Sequence, residues 1–183
     1  MTKIIKVKPN ILLIILAIMI FAGTLLVSCR QVPPVTMASE SPETELEGPY
    51  SVTRIVDGDT IVVNMDGKDG KDTKIRLIGI DTPESVHPDN EKNTEEGRIA
   101  SAYTEKLLTG CNVYLEFDSE YKDSYDRVLA YAYLEDGRMV NAILLEEGMA
   151  SVYTVPPNTK YTDVFIALQK KARENNMGFW AEK

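Results

Sequence analysis

Three short stretches concentrate the side chains able to do chemistry: Asp57-Gly58-Asp59-Thr60, Arg76-Leu77-Ile78-Gly79-Ile80-Asp81-Thr82-Pro83-Glu84, and Asp123-Ser124-Tyr125-Asp126-Arg127. Singly each is weak, because Asp and Gly are ordinary turn residues and Asp57 to Asp59 alone reads as a tight hairpin. Together they mean more. Carboxylates arriving from two separated strands make an oxygen-rich pocket suited to a hard cation such as calcium, and two arginines match the charge and fork geometry of a phosphate. The inventory narrows the alternatives. The chain has 183 residues, 20 Lys and Arg against 28 Asp and Glu for a net charge of −8, one His and two Cys. His87 alone cannot be both acid and base of a two-histidine mechanism, and two Cys with one His cannot close a four-ligand zinc site. Carboxylates and arginines must carry any catalysis.

The elements that position these stretches follow from periodicity. Residues 50–56 and 60–65 are β-rich and joined by Asp57-Gly58-Asp59, and residues 73–80 follow the Gly-rich turn at 66–70, which predicts a three-strand meander. Arg76 and Asp81 are an odd number of positions apart and would face opposite ways in a regular strand, so the strand must bend or end between them, at Gly79. Asn93 with Glu96 predicts a helix start, continued by Ile99, Ala102, Tyr103 and Leu107 until Gly110. Residues 113–117 and 128–134 read as two more strands. Met139, Val140, Ile143 and Leu144 predict a short helix ended by Gly148, and Phe165, Leu168 and Ala172 a last one ended near Gly178. The expected class is α+β with a mainly β core: a small closed barrel of five strands with three helices packed outside. Cys111, with no partner in this domain, is expected to be a small buried hydrophobe. The run Glu116, Asp118, Glu120 and Asp123 is expected to be a solvated face. Asp126 tolerates a left-handed turn, and its charge beside Arg127 is expected to compete for that arginine.

The start of the chain has a different character. Lys3, Lys6 and Lys8 precede an uncharged apolar run over residues 11–26, then Leu26-Val27-Ser28-Cys29. A basic start, a short apolar core and small residues before a cleavage point make an export signal. Leu-Val-Ser-Cys also resembles the lipobox of bacterial lipoproteins, which implies a lipid on Cys29 and a membrane tether; an ordinary signal peptide and an uncleaved anchor are the alternatives. Residues 30–49 carry four prolines and four glutamates with scattered apolar residues, the composition of a solvated spacer. The expected organisation is therefore a leader at 1–28, a lipidated Cys29 with a linker to residue 49, and one domain at 50–183.

That domain resembles the thermonuclease or staphylococcal nuclease-like family of calcium-dependent nucleases. The resemblance is carried by Val56-Asp57-Gly58-Asp59-Thr60, by Arg76-Leu77 with Asp81-Thr82-Pro83-Glu84, by Asp123-Ser124-Tyr125-Asp126-Arg127 with Leu129-Ala130-Tyr131, and by Met139-Val140-Asn141, in order and spacing. It implies a five-stranded OB-fold Greek-key barrel in which Asp59, Asp81 and the backbone carbonyl of Thr82 hold Ca2+. It implies Arg76, Glu84 and Arg127 as the catalytic set and Tyr125 and Tyr153 as tyrosines that contact the nucleotide. The implied reaction is endonucleolytic hydrolysis of DNA, with RNA as a further substrate, leaving 3′-phosphates. Glu84 would orient or deprotonate the attacking water; sequence does not separate the two. The expected protein is a monomer, held outside the cell membrane, with no protein partner evident.

This sequence also departs from the family. Its domain has 16 basic against 24 acidic side chains, so general attraction to a polyanion is missing. Ser124 stands where a lysine is common and Val155 where a second tyrosine is common. Two other classes of function compete: a nucleic-acid-binding OB module that has lost catalysis, and an adhesion or solute-binding lipoprotein. Intact Asp59, Arg76, Asp81, Glu84 and Arg127 count against the first, because a binding module has no need of all five.

Overall fold

β1 (Glu47–Asp57) and β2 (Thr60–Asn64) form the opening hairpin around a Gly58-Asp59 turn, and β3 (Asp72–Leu77) adds antiparallel to β2. The computed structural model describes residues 45–65, 70–85 and 93–181, all within one compact unit, Pro42–Lys183. The expected leader, Cys29, most of the expected linker and His87 lie outside the described residues. β1 begins ahead of residue 50, where the sequence reading starts the domain, because Glu47 already pairs with Leu115.

Closure comes from β1 serving two neighbours. Its register shifts beside Val52 and Arg54 and again before Asp57, and such bulges bend and twist a strand. Its later part pairs with β2, and its earlier part pairs with β5 (Asn112–Glu116). β5 pairs antiparallel with β6 (Val128–Leu134), and β6 lies parallel to β3, which closes the five-stranded barrel in the order β1-β2-β3-β6-β5. Ile61, Val63, Ile75, Val113, Leu115, Ala130 and Ala132 are each wholly buried in the core. Burying an Ile or Leu side chain contributes roughly 1.5–3 kcal/mol, so this layer dominates the cohesion of the barrel.

The helices are α1 (Glu95–Leu108), α2 (Val140–Glu146) and α3 (Thr162–Glu174), with a short 3-10 turn at Gly178–Trp180. The expected OB-type α+β fold is therefore the observed one. α1 differs at its start. Thr94, not Asn93, is the cap, its hydroxyl accepting from Gly97 N at 2.9 Å. The expected strand at 73–80 breaks where the facing conflict required. β3 ends at Leu77, Gly79 adopts φ +79°, and a two-residue β4 (Ile80–Asp81) pairs with β7 (Ser151–Val152). A side chain at Gly79 would also meet the Phe165 ring of α3 at 2.7 Å, so both its backbone angle and its packing call for glycine. Wholly buried Asn141 of α2 fixes this corner to the barrel, accepting from Ala132 N at 3.0 Å and donating to Ile78 O at 2.9 Å.

Two local expectations are corrected. Glu116 does not belong to a solvated face; it is 2% exposed. Its carboxylate accepts from the Tyr133 and Tyr161 hydroxyls at 2.5 and 2.9 Å and pairs with Lys160, linking β5 to the start of α3. A buried carboxylate is tolerable only when supplied with donors and a cation, and these arrive from residues remote in sequence. Cys111 is half-buried rather than buried, because it follows the helix-ending Gly110 (φ +74°) at the rim of the barrel.

Candidate active site

Strand register alone brings two of the three chemical stretches together. Thr60 lies opposite Arg76, so Asp59, one residue earlier, lands beside the arginine. The Asp59 carbonyl also accepts from Leu77 N at 2.9 Å. The corner at Gly79 then turns Asp81 back toward the same guanidinium. Arg76 Nη2 is 2.8 Å from Asp81 Oδ1 and 3.2 Å from Asp59 Oδ2, while Nη1 donates to the Leu77 and Ile80 carbonyls, both at 2.8 Å. Four protein oxygens thus surround the two terminal nitrogens, and the arginine clasps the corner that carries Asp81.

The two carboxylates sit in different surroundings. Asp59 is buried and well supplied with donors: Thr82 N at 2.8 Å, the Thr82 hydroxyl at 3.2 Å and the Thr60 hydroxyl at 3.0 Å. Asp81 is half-exposed at its side chain. Partial burial first, and then the Asp59 charge, lift the Asp81 carboxyl above the ordinary carboxylate value, with Arg76 opposing them. Two carboxylates within 3.2 Å of one nitrogen are a donor set that fits a hard cation, for which carboxylate and carbonyl oxygens are the usual ligands. Among the described residues no three Asp, Glu, His or Cys side chains gather as a metal cluster. An ion here would take two carboxylates and complete its shell with carbonyl and water oxygens.

The third stretch is a loop folded around Asp123. Asp123 Oδ1 accepts from Tyr125 N at 2.9 Å and Arg127 N at 3.0 Å, and Oδ2 accepts from Arg127 Nε at 2.7 Å. Burial pushes the Asp123 carboxyl up, but the Arg127 side chain and these backbone donors outweigh it and hold the group below its usual value. Asp126 takes the expected left-handed turn, φ 62°, and there the expectation that it competes for Arg127 fails. The turn swings it outward to pair with Lys122 at 2.6 Å, and it is Asp123 that engages Arg127.

Arg76 and Arg127 open onto one cavity of about 280 Å³. Gly79, Leu129 and Val155 contribute an apolar lining, and Tyr125 and Tyr153 stand at its rim, 80% and 57% exposed. Neither tyrosine is packed away, and Arg127 lies 5.5 Å over the Tyr125 ring. Two guanidiniums facing a partly apolar slot edged by aromatic rings suit an anionic group joined to a flat ring. Thr82 is buried against Asp59. Glu84 follows in an irregular segment with its side chain exposed and its carbonyl accepting from Thr94 N at 2.9 Å. Sequence reasoning missed Asp123 as the clasp on Arg127, for which the i, i+4 spacing was the available signal. It also missed Ser85 and Ser101, which gather on Asp57 from distant positions and leave no local pattern.

The chain is similar to known proteins over most of its length. The family model described as "Staphylococcal nuclease homologue" matches residues 74–182. The thermonuclease of Staphylococcus intermedius is 45% identical over 131 residues, covering 72% of this chain and 75% of that protein. The thermonuclease of Staphylococcus hyicus is 34% identical over 176 residues, 96% of this chain and 98% of that protein. Endonuclease YncB of Bacillus subtilis is 40% identical over 134 residues, 72% of this chain and 61% of that protein.

Proposed function

The chain belongs to the staphylococcal nuclease homologue family, and from that premise, which makes it a nuclease acting on nucleic acid, we propose a calcium-dependent endonuclease that hydrolyses DNA, and RNA as well, to 3′-phosphate ends. The observation that carries the reading is the pair Arg76 and Arg127 converging on one cavity, with Asp59 and Asp81 gathered behind Arg76. Phosphodiester hydrolysis needs positive charge and hydrogen-bond donors arranged beforehand where negative charge grows on the phosphoryl oxygens. Asp59, Asp81 and the Thr82 carbonyl would hold Ca2+. Bound there, the ion supplies Lewis-acid stabilisation of that charge.

The side chains of the protein do the rest. Arg127, held at Nε by Asp123, presents its terminal nitrogens to the phosphate in a fixed orientation, which favours the bidentate contact that strengthens as the transition state forms. Arg76 meets the phosphate from the barrel side. Glu84 accepts a proton from, or orients, the attacking water. Tyr125 and Tyr153 receive the bases flanking the scissile bond by stacking. The 3′-phosphate product rests on the family resemblance.

The basic start, the apolar run and Leu26-Val27-Ser28-Cys29 support export and lipidation of Cys29, which would hold a monomeric nuclease domain at the outer side of a membrane on the acidic, proline-containing spacer. Replacing Cys29 with Ser is expected to abolish incorporation of labelled fatty acid into the protein and to block removal of the leader, read as a larger apparent mass on a gel.

The deciding experiment is release of acid-soluble nucleotides from heat-denatured DNA, with calcium or with chelator, beside Glu84→Gln and Arg127→Ala. Calcium-dependent activity that falls by orders of magnitude in both variants supports the assignment. DNA binding by a folded protein that never cuts would replace it with a binding module.

A further inference from the structure

Asp57 is buried, 8% exposed, and the proposed mechanism gives it no role. Its Oδ1 lies 2.7 Å from the Ser85 hydroxyl, 2.9 Å from the Ser101 hydroxyl and 2.8 Å from Gly58 N, and the two hydroxyls are 2.8 Å apart. Three oxygens from the end of β1, from the segment after β4 and from α1 therefore meet in one triangle. What lies between them matters. Residues 82–85 have no regular backbone pairing, so only specific contacts fix their position. Thr82 N is held by Asp59 and Ser85 by Asp57, and the residue between these two anchors that the mechanism uses is Glu84.

The other side of the segment is fixed by shape. The Glu84 carbonyl accepts from Thr94 N, and α1 approaches so closely there that a side chain at Gly97 would stand 2.1 Å from that carbonyl oxygen. Asp-Gly-Asp thus has two tasks. Asp59 faces Arg76, and Asp57 fixes the backbone that carries Glu84. We propose that Ser85 and Ser101, bridged on Asp57, are positioning residues that set where the Glu84 carboxylate meets the attacking water; this rests on the assignment of Glu84 above. A carboxylate that must reach a water in line with a phosphorus atom tolerates little displacement, and an error of about 1 Å can cost on the order of a hundredfold in rate.

The test uses the full-length chain in detergent with denatured DNA and calcium, and compares Ser85→Ala, Ser101→Ala, Ser85→Thr, Glu84→Gln and the double variant Glu84→Gln/Ser85→Ala. Removing either hydroxyl is expected to lower kcat roughly tenfold to a hundredfold with KM changed by less than about twofold, and to lower Tm by only about 2–8 °C. Ser85→Thr, which keeps a hydroxyl, is expected to recover most of kcat. In the Glu84→Gln background, Ser85→Ala should lower kcat no further, because a residue that acts through Glu84 loses its effect once that carboxylate is gone. Three outcomes overturn the proposal. One is a folded Ser85→Ala protein with wild-type kcat. Another is an equal loss from Ser85→Ala with or without Glu84. The third is full activity in Glu84→Gln, which alone also removes Glu84 from the mechanism and so is told apart from the first two.

Discussion

Arg76 and Arg127 face the same cavity, yet the molecule builds them in opposite ways. Arg76 stands in a barrel strand between β2 and β6, its side chain 12% exposed, with four protein oxygens around its terminal nitrogens. Arg127 closes a surface loop, its side chain 31% exposed, and among the described residues its hydrogen-bonding side-chain partner is one carboxylate, at Nε. The difference separates a guanidinium with two duties from one with a single duty. Arg76, which also reconciles a buried carboxylate with its neighbour, serves the fold as well as the reaction, whereas Arg127, held at Nε with its terminal nitrogens presented, serves the reaction.

Arg76→Ala should therefore produce the largest combined effect. It leaves Asp59 buried without its cation and removes the clasp on the Leu77 and Ile80 carbonyls. Breaking a buried pair in this way costs about 3–5 kcal/mol. Activity should fall to background. Thermal unfolding of the variant with and without calcium sharpens the point: if Asp59 and Asp81 hold the ion, calcium should restore part of the lost Tm by placing positive charge between them. A variant as stable as wild type would erase the distinction between the two arginines.

Arg127→Ala should separate the two quantities. Activity on denatured DNA is expected to fall about 10²- to 10³-fold, the size of losing one preorganised donor to a developing oxyanion. Stability should change by less than about 1 kcal/mol, because the Asp123 pair lies near the surface and Asp123 Oδ1 still organises the loop through the Tyr125 backbone. Parallel kinetics and calorimetry check this. A loss of stability as large as that of Arg76→Ala would break the comparison.

The same contrast explains what the sequence disclosed. The barrel side was legible because its rules are local and periodic. The odd spacing of Arg76 and Asp81 forced a break, Gly79 could supply it, and Gly79 does. The order of strands and helices followed from apolar alternation and from Gly110 and Gly148 as stops. The contacts that escaped are those in which a side chain chooses a partner across the fold. Glu116 read as solvated because Tyr133, Lys160 and Tyr161 are far away in sequence and meet it only after α3 docks. Asp126 read as the rival for Arg127 because it is adjacent, but a residue with φ 62° directs its side chain away from the chain's previous course. The neighbour four positions back was the partner. Composition placed two aspartates in Asp57-Gly58-Asp59 and could not show that they face different segments.

The smallest effect expected tests the loop side alone. Asp123→Asn keeps a carbonyl oxygen able to accept from Tyr125 N and Arg127 N, but sets an amide NH2 where Oδ2 accepted from Arg127 Nε, so both the charge and that hydrogen bond are lost. The Asp123 carboxyl titrates below its ordinary value in the folded protein, so its ionised form contributes stability that is fully present above the unfolded carboxylate value of about 3.9. That contribution is lost as pH falls through the folded value. The wild type should accordingly be more stable than Asp123→Asn by about 1 kcal/mol or less near neutral pH, and the gap should begin to narrow below about pH 4 and shrink further as pH falls through the folded value. Urea titrations of both proteins between neutral and acid pH measure it. A gap that persists unchanged in acid would mean that Asp123 holds the loop through the hydrogen bond at Oδ2 and not through its charge, and that the loop arginine, unlike the barrel arginine, owes nothing of its placement to charge.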